Sequence, residues 1–282
     1  KYCILCQIHN MPRRNLEILK KVHNIARTKK PDSYPERFFV PEDKGCWAID
    51  WPEYDPPYFV HDSVLKKSMA GEIEAEDAYK NINQRFSKVI HRIAHDIEGR
   101  PLNPCGRTGI RGRGLLYQWG ANRAVDIVMV TVHPRTGLLC FLAIKRADNG
   151  MNAVVGGMVD KGESKVTAAL RELGEEVPQF KNFDQRLVKR MYRKYSDDYR
   201  NTDNSWIETT VFFAFLPKDK FIDTFYGLDK SEVESVSWIP VSEGLALHAG
   251  HERYVYDAAR YFIERNHGPI EVIRQCKFIL NI

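Results

Sequence analysis

Apolar positions along this chain follow two periods. Runs rich in β-branched, aromatic and other apolar residues predict strands at Asp126 to Thr131, Leu138 to Ile144, Ala153 to Val155, Thr209 to Leu216 and Val233 to Ile239. A helical period occupies two later stretches. At about 100° per residue, Val166, Ala169, Leu170, Leu173 and Val177 fall on one stripe. Tyr254, Ala258, Tyr261 and Phe262 likewise share one side of a segment running to Arg265. Strands interleaved with helices predict an α/β fold, a mixed sheet sandwiched between helices, from residue 121 onwards.

Upstream of residue 121 the pattern changes. Leu16, Ile18, Leu19, Val22 and Ile25 recur among Lys and Arg between Asn15 and Lys29, predicting a basic amphipathic helix that Pro31 to Pro35 brings to an end. Phe38 to Tyr58 is rich in Pro and aromatics, and Glu72 to Glu98 predicts one or two polar helices. The expected organisation is a basic segment over 1–34, a smaller N-terminal lobe over 35–120 and the main core over 121–282. No repeat or low-complexity tract interrupts it.

Composition narrows the class without choosing the chemistry. The 282 residues are 43% hydrophobic and 28% charged, enough for one large or two moderate cores. No apolar run reaches about 18 residues, so membrane insertion is not expected. The 42 basic against 37 acidic residues give +5, a surface suited to a small polyanion. Basic and aromatic residues do not interleave as they do in single-strand binders, so no nucleic-acid partner is expected. Six cysteines are scattered without a framework, as in a reducing compartment. Cys3, Cys6 and His9 have metal-like spacing, but no second pair completes a tetrahedral site. The chain opens on Lys1 rather than Met, which is read as a fragment or a processed form.

The most specific chemistry lies between Gly157 and Glu176. Gly157, Glu163, Arg171, Glu172, Leu173, Glu175 and Glu176 fit the spacing Gly-x5-Glu-x7-Arg-Glu-apolar-x-Glu-Glu without a gap. On a helix, Glu172, Glu175 and Glu176 stand at i, i+3 and i+4, so three like charges share one face beside the apolar stripe. A solvated acidic face is the plain alternative. Met151 to Val155, Gly156 and Gly157 precede the helix as strand and loop, with Glu163 or Ser164 near its start. Carboxylates on a rigid helix suit Mg²⁺, with Mn²⁺ as an alternative. Arg171 is placed to pair with Glu163 and brace the loop.

This spacing is the signature of a Nudix box, and the chain resembles the ADP-ribose pyrophosphatase branch of that superfamily. The branch includes a mitochondrial enzyme and the C-terminal domain of an ADP-ribose-gated TRP channel of the melastatin type. The resemblance extends from about Val40 to His251 and is carried outside the box by Gly106 to Gly114, Tyr195 to Trp206 and Leu247 to His251. It implies the Nudix fold and Mg²⁺-dependent hydrolysis of ADP-ribose to AMP and ribose 5-phosphate. Glu172, Glu175 and Glu176 would hold the metal, supported by Arg171 and Glu163. Asp198 and Arg200 would contact the ribose and phosphate region, with Leu247 and His251 at the far end of the nucleotide and Gly156 and Gly157 in the wall.

The sequence departs from the family where Asn152 to Val155 replaces the usual Trp-Ala-Ile-Pro, and where Tyr199 stands between Asp198 and Arg200. The alternative the resemblance allows is an ADP-ribose-sensing domain joined to a channel through the N-terminal segment, a reading supported by Tyr54 to Tyr58. The expected location is intracellular: cytosolic for a channel domain, mitochondrial for a free enzyme.

Gly106 to Gly114 has four glycines and three arginines. Its forked side chains and open backbone could cradle an anion, which makes Arg107 and Arg111 candidate substrate contacts; an ordered interdomain loop is the other reading. The segment before Tyr195 reads as a basic helix leading into a polar loop. Asp203, Glu208 and Glu234 are candidates for an extra ligand or base.

Overall fold

The computed structural model describes residues 23–81, 87, 93–266 and 269–280. Most of the basic segment, with Cys3, Cys6 and His9, lies outside them, as does much of the polar stretch after Asn81. The chain divides into two compact units. One comprises Lys1–Arg123 with Lys194–Glu208, and the other Ala124–Arg193 with Thr209–Ile282.

In the first unit the described part of the basic segment holds one short helix, α1 (Ile25–Thr28). Strand β1 (Tyr58–Val60), helix α2 (Asp62–Met69) and strand β2 (Arg111–Gly114) follow, with β1 and β2 paired in parallel. Between residues 72 and 98 the helical structure among the described residues is a single turn at Ala78–Asn81, and His95 forms an isolated bridge with Pro101. The glycine-rich run is not an interdomain loop: it is buried inside this unit except for half-buried Arg111. Its glycines admit backbone from elsewhere in the unit. A Cβ on Gly109 would fall 2.2 Å from the Phe38 carbonyl oxygen, and one on Gly112 would fall 2.4 Å from that of Phe59. The polar loop 197–204 is bonded to the same run, through Asp203 N–H to Ile110 O (2.8 Å) and the Thr202 hydroxyl to Gly112 O (2.6 Å), and to Asn103 just before it, whose N–H donates to Asp203 O (2.7 Å).

The second unit is built on strands β3 (Gly120–Val132), β4 (Leu139–Arg146), β5 (Asn152–Ala153) and β6 (Val155–Met158), helix α3 (Lys165–Glu176), and strands β7 (Val188–Ser196), β8 (Ser205–Phe215) and β9 (Val233–Pro240). Helices α4 (Glu252–Asn266), α5 (Ile270–Gln275) and α6 (Lys277–Leu280) close it. The strand order is β5-β4-β3-β8-β7, with β6 also on β3 and β9 also on β4. The pairs β3–β4, β3–β6, β4–β5 and β4–β9 are antiparallel.

Period-two alternation sends successive side chains to opposite faces. Val128, Val130, Leu139, Phe141, Val211 and Phe213 pack with Tyr254, Val255, Ala258 and Phe262 of α4. Val125, Ile127, Met129, Leu142, Ile144 and Phe212 pack with Ala168, Ala169 and Leu173 of α3. Helices therefore cover both faces of the sheet. Each buried Val, Leu, Ile or Phe contributes roughly 1.5–3 kcal/mol.

Two expectations are corrected and a third is extended. Val188 to Ser196 is strand β7, not a helix. It lies at the end of the sheet order, where charged side chains are tolerated. The single strand expected at 153–155 is two, and β6 continues through both glycines because they pair with Val125 and Asp126 of β3. The buried face of α3 is also wider than the stripe: Ala168 and Glu176 are buried beside Ala169 and Leu173, while Val166 and Leu170 pack partly buried against the same core.

Candidate active site on the acidic helix

Helix α3 starts where Ser164 accepts a hydrogen bond from Thr167 N–H at 3.2 Å. This cap fixes the helical phase and hence the face that the acidic residues share. The chain after β6 turns back at Asp160–Glu163, where Glu163 Oε2 accepts from Asp160 N–H at 3.1 Å.

Arg171 stands at the centre. Its Nε and Nη2 donate to the two Glu163 oxygens at 3.1 and 3.2 Å, and Nη2 also reaches Met158 O at 3.0 Å. Its Nη1 donates to Glu172 Oε1 at 3.0 Å and to Glu175 Oε2 at 2.9 Å. One guanidinium thus ties the loop, the end of β6 and two of the helix carboxylates together. Its hydrogen bond holds Glu163 below the usual carboxylate range.

Glu176 is nearly buried, and Gly156 N–H donates to its Oε2 at 3.2 Å. Burial, followed by the charge of Glu172, pushes its carboxyl up to about 8, while Arg146 acts in the opposite sense. Burial also raises Glu172. The glycines make this closeness possible: a Cβ on Gly157 would lie 2.2 Å from Glu172 Oε1, and one on Gly156 2.4 Å from Val125 O and 2.8 Å from Asp126 Oδ1.

Two carboxylates not singled out from sequence join this region. The charge of Glu232, just before β9, raises both Glu172 and Glu176. Its backbone oxygen accepts from Ala147 N–H at 2.9 Å, which places it at the end of β4. Asp126 lies opposite Gly156 in the β3–β6 register. Its Oδ2 accepts from the Thr209 hydroxyl at 2.6 Å, and its Oδ1 is 3.5 Å from His251 Nε2. Sequence signals for these residues were weak, because both relationships join positions far apart in the chain.

His251 follows the turn His248–Gly250, in which Ala249 takes a left-handed conformation with φ 48°. Val154 N–H donates to His251 Nδ1 at 3.2 Å. A backbone amide can only donate, so the neutral ring carries its proton on Nε2. The ring stacks on Tyr254, with centroids 5.1 Å apart. Leu247 belongs to the apolar core on the α4 face.

The other sequence candidates lie in the first unit. Asp198 and Arg200 form a forked pair, Nε to Oδ1 at 2.8 Å and Nη2 to Oδ2 at 2.9 Å. Arg107 directs Nη1 to the carbonyls of Lys44 and Cys46 and Nη2 to that of Ile49, while its plane covers the Trp47 and Tyr54 rings. Arg111 donates to Pro56 O and pairs with Asp55 at 3.1 Å. Asp203 accepts from the Tyr54 hydroxyl and from Thr108 through both its N–H and its hydroxyl. Glu208 accepts from Trp206 Nε1 at 3.2 Å. In the second unit, Glu234 pairs with Lys145 on the surface. A cleft of about 300 Å³ after α3, lined by Phe180, Lys181, Leu216 and Lys220 among others, contains none of the candidates.

The donor set suits a hard divalent cation: carboxylate oxygens on one rigid helix, with excess negative charge in a partly desolvated place. As the side chains stand, no three acidic, His or Cys groups among the described residues surround a common point. Arg171 draws Glu172 and Glu175 to itself, so a cation must compete with it for those oxygens. No helix among the described residues is long and apolar enough to cross a membrane.

Comparison with known proteins identifies the family of both parts of the chain. The family model for the NUDT9-like, N-terminal domain matches residues 40–120, and that for the NUDIX domain matches residues 121–259. The mitochondrial ADP-ribose pyrophosphatase of Rattus norvegicus is 34% identical over 270 residues, covering 83% of this chain and 76% of that protein. Putative nudix hydrolase 6 of Caenorhabditis elegans is 32% identical over 86% of this chain and 94% of its own length. A transient receptor potential cation channel subfamily M member-like 2 of Nematostella vectensis is 32% identical over 83% of this chain, which spans 17% of the channel. With a Nudix domain that follows a NUDT9-like N-terminal domain, and relatives that match along most of its length, this chain belongs to the Nudix family.

Proposed function

We propose that this chain hydrolyses the pyrophosphate bond of ADP-ribose, giving AMP and ribose 5-phosphate. The observation that carries the reading is the convergence of Glu163, Glu172 and Glu175 on Arg171, with buried Glu176 beside them. The similarity to an ADP-ribose pyrophosphatase supports the substrate.

Glu172, Glu175 and Glu176 are the residues to hold Mg²⁺, with Mn²⁺ as the alternative. When bound, the ion neutralises the diphosphate and lowers the pKa of a coordinated water. Water supplies an oxygen to one phosphorus, the bridging oxygen leaves with the other, and the released protons pass to solvent. Arg171 and Glu163 keep the loop and helix in register. Gly156 and Gly157 keep the wall free of side chains beside the carboxylates. For the nucleotide we assign His251 and Leu247 to its far end. Arg107 contributes by fixing the Lys44–Ile49 segment. A residence in mitochondria follows from the same likeness and belongs to this proposal.

The test is incubation of the chain with ADP-ribose and Mg²⁺, with products separated by chromatography. AMP and ribose 5-phosphate in equal amounts, abolished by EDTA, are expected. Intact ADP-ribose after prolonged incubation contradicts the hydrolase. The match to a cation channel favours a second reading, a domain that senses ADP-ribose within a longer protein. Tight calorimetric binding without cleavage is its expected result.

A further inference from the structure

We propose that Asp126 is a positioning residue for the acidic site, holding strand β6 so that Gly156 N–H stays on Glu176. The inference builds on the reading of Glu172, Glu175 and Glu176 as cation ligands. Its geometry stands by itself. Asp126 is buried on β3, directly opposite Gly156 in the antiparallel register. Two elements anchor its carboxylate: Thr209 of β8 donates a hydroxyl to Oδ2 at 2.6 Å, and His251 Nε2 lies 3.5 Å from Oδ1. The proton belongs on that His251 nitrogen, because Val154 N–H occupies Nδ1.

Gly156 packs on this anchored group with no room for even a methyl. A Cβ there would fall 2.8 Å from Asp126 Oδ1 and 3.1 Å from Asp126 Cα. The amide of the same glycine is the donor to Glu176 Oε2. A displacement of Asp126 is therefore passed to the carboxylate through a single residue that has no side chain to absorb it. Groups that orient metal ligands typically change metal affinity by about 10–100-fold when altered.

Thr209→Val removes the hydroxyl donated to Asp126 and keeps the shape, and Asp126→Asn places a donor where two donors already point. Both variants, together with Glu176→Gln, are compared with the unmutated full chain by two measurements. The first, without added metal, is the NMR shift and hydrogen-exchange rate of the Gly156 amide. The second is Mn²⁺ affinity by electron paramagnetic resonance. Expected are an upfield shift and faster exchange of the Gly156 amide in Thr209→Val and Asp126→Asn. Mn²⁺ affinity should be about tenfold weaker, with kcat restored by raising Mn²⁺ and KM for ADP-ribose unchanged at saturating metal. A Gly156 amide that neither variant moves overturns the proposal, whatever happens to activity. A moved amide in a chain whose Mn²⁺ binding does not depend on Glu176 supports the positioning role and instead refutes the assignment of the cation ligands. Thermal unfolding of each variant identifies loss of fold, and Thr209→Val carries the test if Asp126→Asn fails to fold.

Discussion

Each unit of the molecule contains a dense cluster of charged groups, and the two clusters are satisfied differently. Around Asp203 most polar atoms of the charged groups find partners within the unit, although Arg107 Nε is buried without a hydrogen bond. Its carboxylate takes donors from Tyr54 and Thr108, Arg107 donates to three carbonyls, and Arg37 donates to Lys29, Thr108, Tyr199 and Asn201 oxygens. Burial alone raises Asp203, and the groups bonded to it oppose the rise. Around Arg171 acids outnumber bases: Glu163, Glu172 and Glu175 share one guanidinium, and Glu176 is pushed up to about 8. A closed polar network fixes a fold, whereas a cluster with excess negative charge is arranged for something that binds to it.

The contrast can be broken from either side. Glu172→Gln should lower kcat by several kcal/mol of transition-state stabilisation, on the order of a thousandfold, in a steady-state assay. Its melting temperature should not fall, because the substitution relieves like-charge repulsion. In Asp203→Ala the order reverses. Three donors lose a buried acceptor, so chemical denaturation should register a loss of about 3–4 kcal/mol while Mn²⁺ affinity stays the same.

The first unit also carries a pH signature. His23 is buried between Tyr195, whose hydroxyl lies 2.9 Å from Nδ1, and the Arg107 carbonyl 2.8 Å from Nε2. Burial brings its pKa from 6.5 down to about 4. An unfolded chain takes up this proton near pH 6.5 and the folded one only near 4. Its contribution is therefore complete above pH 6.5 and is lost as pH falls towards 4, by about 3 kcal/mol at most. Urea midpoints between pH 7 and 4.5 should show the decline, and His23→Asn should flatten part of it. The smallest effect is expected at the cap of α3, where Ser164→Ala should cost about 1 kcal/mol with activity nearly intact.

How much of this was legible in the sequence depends on the range of the contacts. The box helix and the Arg171–Glu163 pair could be read because residues eight or fewer apart settle them on one helix and its loop. Five strands were visible as apolar runs. Strand β7 was not, since Lys189, Arg190, Arg193 and Lys194 favour a helix until β8 supplies a partner. Asp126, Thr209 and His251 carried no joint signal, as their meeting requires β3, β8 and the turn before α4 to be in place. The glycine-rich run left two readings open for a different reason. Its composition suits both anion binding and close backbone packing, and the structure shows the second at Gly109 and Gly112.

The most direct test is a paired measurement on Glu175→Gln/Glu176→Gln with ADP-ribose and Mg²⁺, recording binding by calorimetry and AMP release in the same preparation. Retained nucleotide binding with AMP release reduced to background is the result predicted here. AMP release at the rate of the unmutated chain would contradict a hydrolase built on these carboxylates.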